Sequence, residues 1–326
     1  RISRMLDTCR PRLVLTDCPL PPTLVEACIA VGVSPVPIET LDHDAEERTS
    51  KRLPETGLVV GSDPAYLMFT SGSTGVPKGA LIAHSSVLNL IGWSQTEFAI
   101  RPDDVLTNVN PVYFDNSVFD FYSALFSGAA LAPFPRSIVS QPAKLVTLIE
   151  ELGCTLWFSV PSMLIYLMTL RQLSTKSWPA MRCLAFGGEG YPTGELRKLF
   201  DLFEHRAQLV NVYGPTECTC ICSAYPIGRA DLEDKVGLPP LGSIASNFDY
   251  LILGDDDREV PQGDSGELCL LGPQVGLGYY NDADRTAASF VRNPLNTKFF
   301  ERMYRCGDLV RQDAHGKIWF VGRKDN

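Results

Sequence analysis

The segment richest in chemistry is Tyr66-Leu67-Met68-Phe69-Thr70-Ser71-Gly72-Ser73-Thr74-Gly75-Val76-Pro77-Lys78-Gly79. An apolar run enters a loop crowded with glycine, serine and threonine, and a lysine follows. Glycines let successive backbone N–H groups turn toward one point, hydroxyls add donors, and Lys78 adds positive charge. A polyphosphate needs such a set. The spacing is not GxxxxGKS/T, so the loop is not of the Walker A type. A second cluster, Tyr213-Gly214-Pro215-Thr216-Glu217, brings a ring, a hydroxyl and a carboxylate together around a turn. Asp308, after Tyr304-Arg305-Cys306-Gly307, reads taken alone as a turn residue after glycine. Asp115, after Phe114, opens a helical pattern. If buried, it needs a cationic partner, because an unpaired buried charge is costly.

Other chemistries lack their residues. No Ser/His/Asp triad and no carboxylates at glycosidase spacing are visible. His84 reads as a helix start, and His43, His205 and His315 as surface or turn positions. The ten cysteines contain no CxxC pair and no Cys/His metal spacing, so reduced, mostly buried thiols are expected. Cys218, Cys220 and Cys222 alternate as residues on one face of a strand would. With 29 basic and 38 acidic residues the net charge is −9, which disfavours a nucleic-acid surface. It does not exclude an anionic substrate, since backbone dipoles bind phosphate on acidic proteins.

The elements that must position these residues follow from the hydrophobic pattern. With 326 residues, 45% hydrophobic, the chain suits about two domains and can bury a large core unaided. Strands are expected at Leu13 to Leu15, Ala65 to Phe69, Val105 to Val109, Thr155 to Val160, Cys183 to Phe186 and Leu209 to Tyr213. Helices are expected at Ser85 to Gln95, Ser117 to Ser127, Ser162 to Gln172 and Gly194 to His205, with another capped by Ser140 ahead of Pro142 and stopped by Gly153. The alternation predicts layered α/β subdomains with mostly parallel sheets over residues 1–228. Residues 229–326 read as a small β-barrel-like subdomain, with strands at Asp249 to Leu253, Gly266 to Leu271, Tyr304 to Arg311 and Lys317 to Val321. Asp42 to Lys51 reads as a solvated charged loop. No membrane helix or signal peptide is seen, and a soluble cytoplasmic protein is expected.

Thr70 to Gly79, Tyr213 to Glu217, Gly266-Glu267-Leu268 with Gly278-Tyr279, and Tyr304 to Asp308 with Gly322-Arg323-Lys324-Asp325 occur in one order along nearly the whole chain. In these motifs the sequence resembles the adenylate-forming enzymes, and within them the adenylation domains of nonribosomal peptide synthetases. Leu277 departs from the third motif, where arginine is common. The resemblance implies ATP-dependent activation of an amino acid as aminoacyl-AMP, with release of pyrophosphate. The amino acid would then load onto the phosphopantetheine thiol of a peptidyl carrier protein. It also implies that the family pattern continues before Arg1 and that a small mobile C-terminal domain follows a hinge matched by Asp325. The chain as given is thus expected to be the large N-terminal part, with impaired turnover.

By the same resemblance, Thr70, Ser71, Gly72, Ser73, Thr74, Gly75 and Lys78 would hold the β- and γ-phosphates. Thr216 would bond the α-phosphate, and Glu217 would ligate Mg2+. Tyr213 would stack on adenine, with Asn211, Gly187 and Gly188 at the base edge. Asp308 would bind the ribose of ATP or AMP, with Arg323 beside ribose or phosphate. Asp115 would pair with the substrate ammonium. Asn116, Phe119, Phe158, Ala185, Gly187, Val212, Cys220 and Ile221 would line the side-chain pocket. Most are apolar, which favours an aliphatic substrate like isoleucine or valine. A stand-alone D-alanine–carrier-protein ligase, an acyl-CoA synthetase, and a non-catalytic nucleotide-binding module remain as alternatives.

Overall fold

The short parallel strands β1 (Val14–Thr16) and β2 (Pro35–Pro37) pair beside helices α1 (Ile2–Cys9) and α2 (Pro22–Ala30), closed by Leu6, Cys28 and Val33. They open a computed structural model that describes residues 2–41, 58–70, 76–233 and 236–324. The charged run from Asp42 to Lys51, with His43, lies outside the described residues, as does Asp325. Strands β3 (Pro64–Thr70) and β4 (Lys78–Ala83) are antiparallel, in a register that sets Thr70 opposite Lys78. Helix α3 (His84–Glu97) begins at His84, as expected.

The next elements are β5 (Val105–Asn108), α4 (Asn116–Phe126), β6 (Ala130–Pro133), α5 (Arg136–Val139), α6 (Pro142–Glu151), β7 (Leu156–Ser159), α7 (Pro161–Thr169), β8 (Cys183–Gly187), α8 (Thr193–Phe203), β9 (Gln208–Tyr213), β10 (Ser223–Pro226) and β11 (Ser243–Ile244). The strands form one sheet in the order β11-β10-β9-β8-β7-β5-β6, parallel from β6 to β9 and antiparallel beyond. Successive residues of β7 and β8 feed opposite cores. Leu156, Phe158, Cys183 and Ala185 face α3 and α4, while Trp157, Leu184 and Phe186 face α6, α7 and α8. Burial on both faces explains why these strands are continuous apolar runs in sequence.

Ser140 does not cap α6. It closes α5, and Gln141 precedes Pro142 at the first helical position, where proline's missing N–H costs nothing.

The second half builds β12 (Asp249–Leu253), β13 (Ser265–Leu271), β14 (Gly278–Tyr279), α9 (Ala283–Ser289), β15 (Phe290–Arg292), β16 (Arg302–Gln312) and β17 (Ile318–Arg323). The order β12-β13-β16-β15, with β17 on the same edge of β16 as β15, makes a curled antiparallel half-barrel. Hydrogen bonding crosses the division expected at residue 228. β11 joins the seven-stranded sheet, and β14 joins β4. One hydrophobic cluster runs from Leu90 and Phe119 through Val212 to Leu268 and Tyr304. Among the described residues no helix is long and apolar enough to cross a membrane.

Candidate active site

Ligand crevices in parallel sheets form beyond the carboxyl ends of the strands, and the predicted residues gather there. Asp115 follows β5, Ser159 ends β7, Gly187 ends β8 with Gly188 just beyond it, and Tyr213 to Glu217 leave β9. The half-barrel closes the crevice with Cys306, Gly307, Asp308 and Arg323, and Thr70, Lys78 and Tyr279 close it from β3, β4 and β14. Three adjoining cavities result, and Pro215 and Arg323 border all of them.

The first, about 360 Å³, is lined by Gly188, Asn211, Tyr213, Asp308, Phe320 and Arg323 among others. The Tyr213 hydroxyl donates to Asp308 Oδ2 at 2.5 Å, and Arg323 Nη1 donates to Asp308 Oδ1 at 2.8 Å. Burial first, then the charges of Cys306 and Asp308, push the Tyr213 phenol well up, so it stays a neutral donor. Asn211 is anchored through Nδ2 to the Pro240 carbonyl at 2.8 Å. Gly187 borders neither this cavity nor the largest one. A Cβ on it would lie 2.3 Å from the Val212 carbonyl oxygen, so it allows β8 and β9 to approach.

The second cavity, about 490 Å³, is lined by Thr70, Lys78, Glu217, Tyr279, Arg305, Arg323 and Lys324 among others. Tyr279 donates its hydroxyl to Glu217 Oε1 at 2.6 Å, and the Lys78 ammonium stands 5.3 Å from the centre of the Tyr279 ring. Glu267 accepts from Arg305 at 3.1 Å and from the Gly307 amide at 3.2 Å, and Lys324 reaches it at 3.4 Å. Ser71, Gly72, Ser73, Thr74 and Gly75 lie outside the described residues. No group of three or more acidic, cysteine or histidine side chains among the described residues could hold a metal. Of the two buried carboxylates lining this cavity, Glu217, which is not engaged by Arg305 and Lys324, suits Mg2+, which binds through one or two carboxylates and completes its shell with phosphate oxygens and water.

The third cavity, about 830 Å³, is lined by Asn110, Tyr113, Phe114, Asp115, Asn116, Phe158, Val212, Thr216, Cys220 and Ile221 among others. Asp115 occupies the N-cap position of α4 yet makes no side-chain capping bond. It is 8% exposed, and its Oδ2 has no hydrogen-bond partner. Burial pushes its carboxyl up, the charge of Glu217 adds to this, and the Thr216 hydroxyl and local amides only partly offset it, giving about 6.

Three predicted pocket residues, Phe119, Ala185 and Gly187, do not line this cavity. Phe119 and Ala185 are fully buried and line none of the three cavities, Phe119 meeting the Phe158 ring edge-on at 5.1 Å. Phe119 packs against Phe158 from α4, and Ala185 lies opposite Phe158 in the register of β7 and β8.

Cys218, Cys220 and Cys222 do not share a strand face. Thr216–Cys218 is a 3₁₀ turn, and Thr219 and Cys220 take left-handed φ values of 62° and 72°. The Thr219 hydroxyl donates to the Gln274 carbonyl at 2.7 Å and holds the loop, which turns Cys220 and Ile221 into the cavity. Gly214 makes room for it, since a Cβ there would lie 2.3 Å from the Cys220 carbonyl oxygen. All ten cysteines are free thiols, eight of them buried.

Sequence reasoning missed Tyr279, Glu267 and Arg305 as side chains of the site, although their motifs stood out. It also missed Asp120, to which Asn108 and Asn110 donate at 3.0 and 2.9 Å. A lone carboxyl in the apolar stretch from Val118 to Tyr122 was the available signal.

Comparison with known proteins agrees with this geometry. The family profile described as AMP-binding enzyme matches residues 1–280. An L-proline–[L-prolyl-carrier protein] ligase of Pseudomonas fluorescens is 35% identical over 81% of this chain and 49% of its own length. A D-alanine–D-alanyl carrier protein ligase of Lacticaseibacillus rhamnosus is 30% identical over 100% of this chain and 62% of its own. The chain thus spans about half to two-thirds of these relatives. Among solved structures, a nonribosomal peptide synthetase protein containing adenylation and PCP domains, bound to a vinylsulfonamide inhibitor, superposes with a TM-score of 0.82 at 28% identity. That match covers 98% of this chain and 52% of the other. By its fold, its motifs and the extent of these matches, the chain belongs to the AMP-binding enzyme family.

Proposed function

We propose that the chain carries the site for ATP-dependent activation of an amino acid as an aminoacyl adenylate, which a longer protein would transfer to the phosphopantetheine thiol of a carrier protein. The observation that carries this reading is Asp115, a buried carboxyl with an unpartnered oxygen in the wall of a large cavity beside Thr216 and Glu217. A substrate ammonium supplies the missing partner, and a fatty or aryl acid does not. The two relatives named as L-prolyl and D-alanyl carrier-protein ligases support an amino-acid substrate.

In the reaction, a substrate carboxylate oxygen attacks the α-phosphorus of ATP as the bond to pyrophosphate breaks. The arrangement suits that displacement. Tyr213, Asp308 and Arg323 would fix base and ribose, Asp115 would fix the amino group, and Thr216 would stand between them toward the α-phosphate. Thr70 and Lys78, with the loop between them, would take the departing phosphates. Mg2+ held by Glu217 would neutralise phosphate charge. Asn116, Phe158, Val212, Cys220 and Ile221 offer the substrate side chain a wall that is mostly apolar and uncharged, so an aliphatic side chain such as that of isoleucine or valine fits best. Exchange of labelled pyrophosphate into ATP across a panel of amino, fatty and aryl acids tests the reading. Aliphatic amino acids should support exchange. Exchange supported only by simple acids would indicate an acyl-CoA synthetase type of site, and nucleotide binding without exchange would indicate a binding module.

A further inference from the structure

We propose that Asp120 is a positioning residue for the amino-acid end of this site, its carboxyl fixing through Asn108 and Asn110 the wall from which Asp115 faces the substrate. The inference rests on the amino-acid-activating reading above. Asp120 lies five residues beyond Asp115 on α4 and is 1% exposed. Its Oδ2 accepts from Asn108 Nδ2 at 3.0 Å and Asn110 Nδ2 at 2.9 Å. The Asn110 amide also donates to the Phe158 carbonyl at 2.9 Å, and that of Asn108 to the Asn110 carbonyl at 3.3 Å. One carboxyl oxygen therefore joins α4, the end of β5 and the end of β7. Those three elements supply Asp115, Asn110 and Phe158 to the cavity.

The protonation of Asp120 fits such a role. Oδ1 has no partner, and a buried carboxylate oxygen without hydrogen bonds is costly. Because Oδ2 already receives two N–H donors, the proton belongs on Oδ1. Burial pushes the group up to about 8 against the pull of both asparagines. As a neutral acid, Asp120 holds the two asparagines without placing another charge beside Asp115. An apolar residue at this position would leave both N–H groups without an acceptor and unlink the wall from α4.

The test uses the whole chain and its Asp120→Ala, Asp120→Asn and Asn110→Ala variants. Calorimetry measures binding of AMP and of the standard amino acid that the unsubstituted chain binds most tightly, and thermal melts run alongside. Asp120→Ala and Asn110→Ala should weaken amino-acid binding by about tenfold to a hundredfold and AMP binding by less than about threefold. Asp120→Asn should stay within about threefold of the unsubstituted chain for both, since its amide oxygen accepts from the two asparagines and its NH2 replaces the O–H. Should Asp120→Ala not fold, Asn110→Ala decides. Equal losses for both ligands, a lowered melt with unchanged affinities, or an Asp120→Asn variant as damaged as Asp120→Ala would each overturn the positioning role. An unsubstituted chain that binds AMP and no amino acid would instead overturn the reading beneath it, and the inference with it.

Discussion

The two ends of β5 carry aspartates under opposite regimes. At the amino end, Asp104 is buried, but Arg182 grips both of its oxygens at 2.8 and 2.6 Å and the Thr155 hydroxyl donates at 2.7 Å. Burial pushes this carboxyl up, yet the bonds from Arg182, Thr155 and the Arg101 amide outweigh it and hold the group down at about 2. At the carboxyl end, Asp115 and Asp120 are also buried and have no cationic partner within bonding reach among the described residues. Each keeps an unbonded oxygen, and they are pushed up to about 6 and about 8. Away from the crevice, Asp104 thus has both oxygens bonded, whereas Asp115 leaves one bare where a ligand is expected, and Asp120, which ties the wall behind it together, keeps one bare as well. Incomplete bonding in the interior is what links perturbed carboxyls to candidate sites.

Breaking the satisfied end should produce the largest effect on the fold. Arg182→Ala leaves Asp104 buried and unpaired, a loss of about 3 kcal/mol, toward the low side because the guanidinium is partly in solvent. Denaturant unfolding measures it, and AMP affinity of the folded chain should be unchanged. The pair's contribution should be complete above about pH 4 and lost as the pH falls through about 2.

The unsatisfied end should respond to pH through its ligand. Only ionised Asp115 attracts an ammonium, so amino-acid affinity should be full near pH 7.5 and decline as the pH falls through about 6. Near pH 5 it should be about tenfold weaker. The sign follows from the raised value, which leaves the proton on Asp115 over a range where an ordinary aspartate has lost it. Calorimetry at fixed ionic strength reads the change. A smaller effect is expected from Tyr279→Phe, which removes the donor to Glu217. One hydrogen bond to a charged group contributes about 1.5 kcal/mol, so Mg2+-dependent ATP binding should shift by about tenfold or less. Titrating Mg2+ at fixed ATP checks it.

The parallel strands were legible because burial on both faces leaves unbroken apolar runs, as in Leu156 to Phe158. Most side chains of the candidate site were legible through motifs whose members lie close together, such as Tyr213 to Glu217. What escaped were relations between distant segments. Tyr279 meets Glu217 across 62 positions, and Asn110 reaches Phe158 across 48. Phe119 and Ala185 entered the expected pocket through the resemblance alone, and their side chains lie in the core behind the cavity wall. The left-handed pair Thr219-Cys220 broke the strand that alternating cysteines suggested, since its geometry depends on the Gln274 carbonyl far along the chain.

The central claim is that Asp115 awaits a substrate ammonium, and removing each partner in turn tests it most directly. Binding of an aliphatic amino acid and of the α-hydroxy acid with the same carbon skeleton is measured on the unsubstituted chain and on Asp115→Ala. An unpaired buried charge costs about 3–5 kcal/mol. The unsubstituted chain should therefore prefer the amino acid by a factor on the order of a hundred or more, and Asp115→Ala should lose that preference while binding AMP as before. An Asp115→Ala variant that still distinguishes the two acids to the same degree would contradict the claim and place the ammonium elsewhere.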